Sequence, residues 1–199
     1  MKSICIFLGA NPGNDPKYAA AARNMGRELA SRKIRTVYGG SNMGLMGILA
    51  ESALEAGGEV VGVIPESLVK KEVAHFGLTE LHVTDSMHER KALMAELSDG
   101  FIALPGGIGT MDEIFEIFTW AQLGFHSKPC GLLNIDGYYD RLMHFLNGVV
   151  EEGFLREAHK DMLISADTPA GIIEAFHGYV APTLSKWTEK GPEHSIKRQ

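Results

Sequence analysis

A short apolar run, a glycine-rich turn and a segment of helical length follow one another in the middle of this chain. Residues 100–104 are apolar and predict a buried strand, and residues 111–123 predict a helix. The turn between them, residues 105–110, contains three glycines and a threonine. In such a unit, backbone N–H groups at the positive end of the helix dipole point outward, and glycine lets an anion approach them closely. The pattern therefore predicts a phosphate site at this turn.

Short apolar runs alternate with segments of helical length along most of the chain. The predicted strands are residues 3–8, 34–38, 59–64, 81–84, 100–104, 131–135 and 162–165. The predicted helices are residues 16–31, 45–56, 86–97, 111–123, 138–152 and 168–179, and residues 66–79 form a longer connection. Strands separated by helices favour a parallel sheet that is covered on both faces. The predicted fold class is therefore α/β, a Rossmann-like three-layer sandwich with a mostly parallel central sheet.

Composition limits the class of protein further. With 199 residues and 45% apolar content, the chain can bury one core, so residues 1–181 are predicted to form a single domain. The polar residues 182–199 are predicted to be a flexible tail. A net charge of −6 argues against a general affinity for nucleic acid or an anionic membrane. No apolar run reaches membrane-spanning length and no signal peptide is recognised, so a cytoplasmic location is expected.

The two cysteines are expected to be packed thiols. Cys5 and Cys130 both lie in apolar, strand-like runs. In such a setting a free cysteine behaves as a small apolar side chain. We therefore predict no disulfide between them.

The glycine-rich segments share one position relative to the predicted strands. Residues 9–13 follow the first strand, residues 39–44 the second and residues 105–110 the fifth. Open parallel sheets bind ligands at the carboxyl ends of their strands. We therefore expect these three segments to lie on one rim and to line a shared pocket.

Several familiar nucleotide and metal motifs are missing from the sequence. Residues 9–13 do not supply the G-x-G-x-x-G of a dinucleotide site, and no Gly-Lys-Ser or Gly-Lys-Thr occurs that would indicate a P-loop. The eight histidines are scattered and lack the spacing of zinc ligands. The sequence therefore predicts neither a dinucleotide cofactor nor a bound metal.

Three motifs resemble those of the LOG ("Lonely guy") family of cytokinin riboside 5′-monophosphate phosphoribohydrolases. Residues 105–113 resemble the PGGxGTxxE motif of that family. Residues 39–47 resemble its second glycine loop, and residues 86–91 resemble its Met-His-x-Arg-Lys segment. Shorter matches follow at residues 120–124 and 131–134, so that the resemblance covers roughly residues 3 to 165.

The resemblance implies a hydrolase of nucleotides. It implies cleavage of the N-glycosidic bond in a nucleoside 5′-monophosphate, either AMP or N6-prenylated AMP, to free base and ribose 5-phosphate. It implies a small-molecule substrate, a homodimer and no cofactor. Family members are often labelled lysine decarboxylase-like, but no pyridoxal-phosphate lysine motif is recognisable here. The alternative is a module that binds or senses a nucleoside monophosphate without hydrolysing it.

The site residues follow from the same resemblance, position by position. It makes Arg90 and Glu113 the catalytic pair. A carboxylate near the anomeric carbon suits this reaction, because the sugar passes through an oxocarbenium-like state. The substrate-binding residues that it implies are Gly40, Ser41, Glu66, Met87, Lys91, Gly106, Gly107, Ile108, Gly109, Thr110 and Thr119.

Some of these residues have simpler interpretations. Thr110 and Glu113 also have capping-box spacing, so they are compatible with a purely structural role at a helix start. Arg90 and Lys91 are compatible with a solvated helix face. Glu116 has three interpretations, namely support of Arg90, contact with the sugar, or exposure to solvent.

The helix that follows the main motif is apolar on nearly all sides. Its apolar residues are Ile114, Phe115, Ile117, Phe118, Trp120, Ala121 and Leu123. A helix with this pattern is buried on more than one face. We therefore expect this helix to lie in a dimer interface, where the partner closes part of the pocket.

Overall fold

Seven strands lie in the part of the chain that the computed structural model describes, which is residues 1–71 and 73–182. They are β1 (Ser3–Phe7), β2 (Arg35–Tyr38), β3 (Val60–Pro65), β4 (Glu80–Thr84), β5 (Phe101–Ala103), β6 (Cys130–Leu133) and β7 (Leu163–Ala166). The helices are α1 (Pro16–Ser31), α2 (Gly44–Glu55), α3 (Glu66–Val69), α4 (Met87–Glu96), α5 (Ile108–Gln122), α6 (Asp140–Glu151), α7 (Glu157–Lys160) and α8 (Pro169–His177), with a 3₁₀ turn at Ile135–Gly137.

The strands form one parallel sheet in the order β4-β3-β2-β1-β5-β6-β7. The chain runs from β1 outward to β4, then returns to place β5 on the other side of β1. Strand order therefore reverses between β1 and β5, and ligands bind at such switch points. The predicted fold class, an α/β sandwich with a parallel central sheet, is confirmed.

Both faces of the sheet are covered. Ile4 and Ile6 of β1 face a core that is shared with α1, α2 and α8. Cys5 and Phe7 of the same strand face a second core, which is shared with α4, α5 and α6. Burial on both faces explains why β1, β3, β5 and β6 are largely apolar along their length instead of alternating.

Three helices begin at residues whose side chains cap them. Asp15 accepts a hydrogen bond from the Lys17 N–H at 2.9 Å, and Ser86 accepts one from the Glu89 N–H at 3.2 Å. Thr168 does the same at α8, where its hydroxyl accepts from Gly171 N at 3.1 Å. The helix starts that the sequence indicates at these positions are confirmed.

Other element boundaries differ from the sequence prediction. Helix α5 begins at Ile108 and not at residue 111, and the short helices α3 and α7 were not predicted. Cys5 and Cys130 are buried and unpaired, as expected. Within the described residues, no helix is long and apolar enough to cross a membrane. Residues 183–199, nearly all of the predicted tail, lie outside the described part of the chain.

Candidate active site

A cavity of about 660 Å³ opens at the carboxyl ends of β1, β2 and β5. The three glycine-rich segments all contribute to its lining, as the sequence predicts, and backbone hydrogen bonds join them. Gly9 N donates to Pro105 O at 3.2 Å, and the N–H of Leu45, directly after the second segment, donates to Gly9 O at 3.1 Å. The side chains of its walls include Asn11, Tyr18, Ser41, Met43, Met46, Leu68, Val73, Arg90, Thr110, Glu113 and Tyr138.

The start of α5 presents unpaired amide groups to this cavity. Gly107 occupies the N-cap position, and no side chain caps the helix. The first N–H groups of a helix have no partner within it, and together with the helix dipole they favour an anion. A Cβ atom added at Gly107 or Gly109 would have no neighbouring atom within 4 Å, so both positions leave open space. This turn can therefore receive a phosphate group.

Gly106 is a glycine for a different reason. A Cβ atom at Gly106 would collide with the Thr110 side chain and would lie 2.9 Å from Gly9 N. The absence of a side chain therefore lets the turn pack against the loop that follows β1. This packing brings the first and fifth glycine segments together.

Thr110 is the third residue of α5 and is only 3% exposed. Because the helix begins two residues earlier, Thr110 does not cap it, and the capping interpretation is wrong. Its side chain lines the cavity, and its hydroxyl forms no hydrogen bond with a described residue. The hydroxyl is thus available to a ligand beside the amide groups.

Arg90 is buried and held in place by main-chain carbonyl groups. Its Nε donates to Val63 O at 3.0 Å, and its Nη2 donates to Gly39 O at 3.4 Å. A side chain at position 39 would collide with this guanidinium group, which explains the glycine there. Arg90 is therefore not part of a solvated face but a cation fixed at the ends of β2 and β3.

Glu113 faces Arg90 across the cavity wall. Its Oε1 lies 3.5 Å from Arg90 Nη2, and the two side chains are only 12% and 8% exposed. Burial raises the pKa of Glu113, whereas the Arg90 charge lowers it and the neighbouring Asp112 raises it. The site therefore holds a poorly hydrated carboxylate beside a fixed positive charge.

Lys91 and Glu116 form an ion pair next to this site. Lys91 Nζ lies 2.8 Å from Glu116 Oε2 and 3.2 Å from Asp112 Oδ2, which joins α4 to α5. The hydrogen bond to Glu116 is the main cause of a raised Lys91 pKa. The geometry favours a supporting role for Glu116. The residue that it supports is Lys91 and not Arg90.

The structure brings seven of the predicted site residues to the cavity wall. These are Ser41, Arg90, Gly106, Gly107, Gly109, Thr110 and Glu113. The other six, which do not line the cavity, are Gly40, Glu66, Met87, Lys91, Ile108 and Thr119. Ligand contact stays a prediction for all thirteen residues.

The positions of four of these six can be described by their nearest contacts. Glu66 is exposed and pairs with Lys70 at 3.1 Å. Met87 packs beside the Arg90 guanidinium, with 3.7 Å between Sδ and Nη1. Ile108 is 86% exposed, and the Thr119 hydroxyl donates to Phe115 O within α5 at 2.7 Å.

Sequence reasoning missed several wall residues, above all Tyr138 and Tyr18. Their rings pack edge to face with centroids 5.6 Å apart, and the Tyr138 hydroxyl donates to Gly106 O at 2.6 Å. Tyr138 follows the sixth strand at its carboxyl end, so the rule that located the glycine segments also points to it. Leu68 and Val73 belong to the connection after β3, and the sequence did not predict that this connection lines the cavity.

The sequence of this chain matches known proteins over most of its length. A family model described as "Possible lysine decarboxylase" matches residues 46–176. A cytokinin riboside 5′-monophosphate phosphoribohydrolase from Rhodococcoides fascians is 53% identical over 175 residues, which cover 87% of this chain and 88% of that protein. The chain belongs to the LOG family. A LOG relative of the same name from Arabidopsis thaliana is 45% identical over 179 residues, or 90% of this chain and 84% of the relative.

Membership of the LOG family confirms the assignment made from the three motifs. The family description mentions a lysine decarboxylase, whereas both relatives are named phosphoribohydrolases. The names of the relatives therefore agree with the motifs and not with the family description.

Solved structures with the same fold are more distant in sequence. A molybdenum cofactor binding protein from Rippkaea orientalis superposes with a TM-score of 0.68 at 22% identity, covering 89% of this LOG chain and 97% of that chain. The molybdenum cofactor carrier protein from Chlamydomonas reinhardtii has the same TM-score and identity, with 89% and 96% coverage. These similarities support the fold of the LOG chain and carry no information about its ligand.

Proposed function

We propose that this protein hydrolyses the N-glycosidic bond of nucleoside 5′-monophosphates, with AMP and N6-prenylated AMP as substrates and free base and ribose 5-phosphate as products. One observation carries the proposal. An uncapped helix start that can hold a phosphate lies one turn from Glu113, and Glu113 Oε1 lies 3.5 Å from the buried Arg90. The names of the relatives support the same reaction.

The geometry suits the chemistry of this bond. With its phosphate on the amide groups of residues 107–110, the ribose of a nucleotide would lie against the first turn of α5, beside Glu113. As the bond from C1′ to the base breaks, its electron pair leaves with the base, and the sugar gains positive charge. The Glu113 carboxylate would stabilise that charge and orient the water whose oxygen bonds to C1′. The water supplies one proton to the base and keeps the other in the new sugar hydroxyl.

Arg90 assists by keeping Glu113 ionised and in place. Burial of a carboxylate favours its neutral form, and an adjacent cation favours the charged form. The two main-chain carbonyl groups that hold the guanidinium fix its position before substrate binds. Preorganised charge of this kind needs no rearrangement when the transition state forms.

Apolar side chains in the cavity lining suit the base. They include Met43, Met46, Leu68 and Val73. Methionine side chains adapt to ligands of different shape, which is compatible with adenine and with a prenylated adenine.

We also propose that the protein is a homodimer that acts in the cytoplasm and binds neither nucleic acid nor membranes. The outer side of α5 forms a shallow groove with apolar walls, lined in part by Met111, Phe115 and Trp120. A second groove, between α5 and α6, includes the exposed Phe145 and Phe154. A second copy of the chain would cover both surfaces. The net charge of −6 agrees with the absence of polyanionic partners.

The test of the reaction is release of free base. The purified protein is incubated with AMP and with isopentenyladenosine monophosphate, with the corresponding nucleosides as controls, and products are separated by chromatography. Base from the monophosphates but not from the nucleosides is expected, because binding depends on the phosphate. If AMP binds and no base appears, the alternative of a nucleotide-binding or sensing module replaces the hydrolase.

A further inference from the structure

The phosphate turn is supported from outside by two consecutive tyrosines. The Tyr139 hydroxyl donates to Leu104 O at 2.6 Å, and the Tyr138 hydroxyl donates to Gly106 O at 2.6 Å. The carbonyl between them, on Pro105, accepts from Gly9 N at 3.2 Å. Three successive carbonyl groups that lead into the turn are therefore each held by a donor from another segment.

Holding these carbonyl groups also sets the direction of the amide groups. A peptide unit is planar and trans, so its N–H points away from its C=O. No peptide bond in the described residues is cis. The bond from Tyr138 to Gly106 O therefore fixes the N–H of Gly107, which lies at the N-cap of α5. The orientation of an amide group in the phosphate site thus depends on a side chain outside the turn.

Tyr138 is itself clamped in position. Its ring lies edge to face against Tyr18 and Tyr139, with centroids 5.6 and 4.9 Å away. The 3₁₀ turn that precedes it is tied to α1 by Lys17, whose Nζ lies 2.7 Å from Asp136 Oδ2. Tyr138 is 40% exposed and lines the cavity, whereas Tyr139 is buried and acts only as support.

We propose that Tyr138 is a positioning residue for phosphate recognition: its hydroxyl holds the Gly106–Gly107 peptide in the orientation that a bound phosphate requires. The inference rests on the proposed function, because it takes the phosphate of the substrate to lie at the start of α5. It assigns to the segment between β6 and α6 a role in substrate affinity. A preformed amide group spares the ligand the cost of ordering the turn.

The test compares wild type with Tyr138→Phe, which keeps the ring and removes the hydroxyl. Ribose 5-phosphate is titrated calorimetrically, because it has the phosphate and is not consumed. Inhibition of AMP cleavage by adenine, which has no phosphate, is measured in parallel. A single neutral hydrogen bond leads us to expect ribose 5-phosphate to bind about 3- to 10-fold more weakly. The KM for AMP should rise by a similar factor, with kcat and adenine inhibition unchanged.

Tyr179→Phe is the matched control, because it removes a hydroxyl from a residue that follows α8 and does not line the cavity. It should bind ribose 5-phosphate like wild type, and both variants should remain folded. Wild-type affinity for ribose 5-phosphate in Tyr138→Phe would overturn the inference. Equal weakening of adenine inhibition and of ribose 5-phosphate affinity would also overturn it. Tyr138 would then shape the cavity in general and would have no particular role at the phosphate site.

Failure of the proposed function would be visible separately. In that case wild type would release no base from AMP. The titration with ribose 5-phosphate needs no turnover, so it would still decide whether Tyr138 positions the phosphate site.

Discussion

At the scale of single residues, Glu113 lies between opposing influences. Desolvation raises its pKa and favours the neutral acid, while the guanidinium of Arg90 favours the carboxylate. A neutral polar side chain could not replace the Glu113 carboxylate, because the proposed reaction needs a negative charge next to a developing cation. The amide groups that we propose as the phosphate site are on the same helix but belong to its backbone. Binding and cleavage should therefore be separable by mutation.

Glu113→Gln should separate them. The amide has the shape of the carboxylate without its charge, so kcat for AMP should fall by about 10²- to 10⁴-fold. Affinity for ribose 5-phosphate should stay within about twofold of wild type, because the backbone of residues 107–110 is untouched. Steady-state kinetics and calorimetry measure the two effects. Glu55→Gln, at the exposed end of α2, is the control and should match wild type. Undiminished turnover in Glu113→Gln would remove this residue from the mechanism.

The protonation of Glu113 gives a second prediction. Its pKa should lie above the ordinary value of 4.5, since desolvation exceeds the effect of Arg90. Replacement of Arg90 by glutamine removes the charge that lowers this pKa, so the pKa should rise further. Titration of ¹³C-labelled glutamate carboxyl groups by NMR measures both values, with the Glu113→Gln spectrum assigning the signal. A lower pKa in Arg90→Gln would contradict the pairing.

At the scale of secondary-structure elements, the sequence predicts the sheet and its helices well, because local rules and packing agree. Continuous apolar runs predict the strands that are buried on both faces, and Asp15, Ser86 and Thr168 indicate helix starts through capping. The start of α5 was misplaced because Gly107 caps it without a side chain, so the usual polar signal is missing. The N-terminus of α5 therefore has no side-chain cap at the position where an anion can bind.

Contacts between distant segments could not be predicted from the sequence. Whether Lys91 faces the cavity or Glu116 depends on the packing of α4 against α5, and periodicity does not show this. The support of Gly106 by Tyr138 joins residues 32 positions apart. The carboxyl ends of parallel strands lie at one edge of the sheet, and this rule alone places the two residues near each other. The rule does not predict the direction in which a side chain points.

The contact between α1 and α2 also depends on one glycine. A Cβ atom at Gly26 would collide with the Ser52 hydroxyl, would lie 2.6 Å from Leu49 O and would touch the backbone of Ala53. Main-chain atoms of a packed helix cannot move aside easily. Gly26→Ala should therefore lower the free energy of unfolding by about 1–3 kcal/mol, as overpacking does.

The matched control is Gly148→Ala in α6, where an added Cβ atom meets nothing within 4 Å. Alanine is the better helix former, so this variant should be about 0.5–1 kcal/mol more stable than wild type. Urea denaturation followed by circular dichroism measures both variants. Equal effects at the two positions would show that helix propensity, and not the contact between α1 and α2, decides the outcome.

At the scale of the whole molecule, the cavity and the apolar grooves lie on different sides of one helix. Glu113 and Thr110 of α5 face the cavity, while Met111, Phe115 and Trp120 of the same helix line its outer groove. A partner that packs on α5 would therefore contact the element that carries the proposed catalytic carboxylate. Assembly and activity are expected to change together for this reason.

Phe145→Glu tests this link. The side chain lies on α6 beside the groove and is 65% exposed, so the free subunit should tolerate the change. In a dimer the new carboxylate would be buried without a partner, at a cost of about 2 kcal/mol or more, which should weaken the dimer by about 30-fold or more. Sedimentation velocity at micromolar concentration should then show monomers, and base release from AMP should fall with the fraction of dimer. Phe76→Glu changes a ring that is 76% exposed and lines neither groove, so this variant should stay dimeric and active. If the Phe145→Glu protein sediments as wild type does, the interface lies elsewhere, and the outer faces of α5 and α6 have another role.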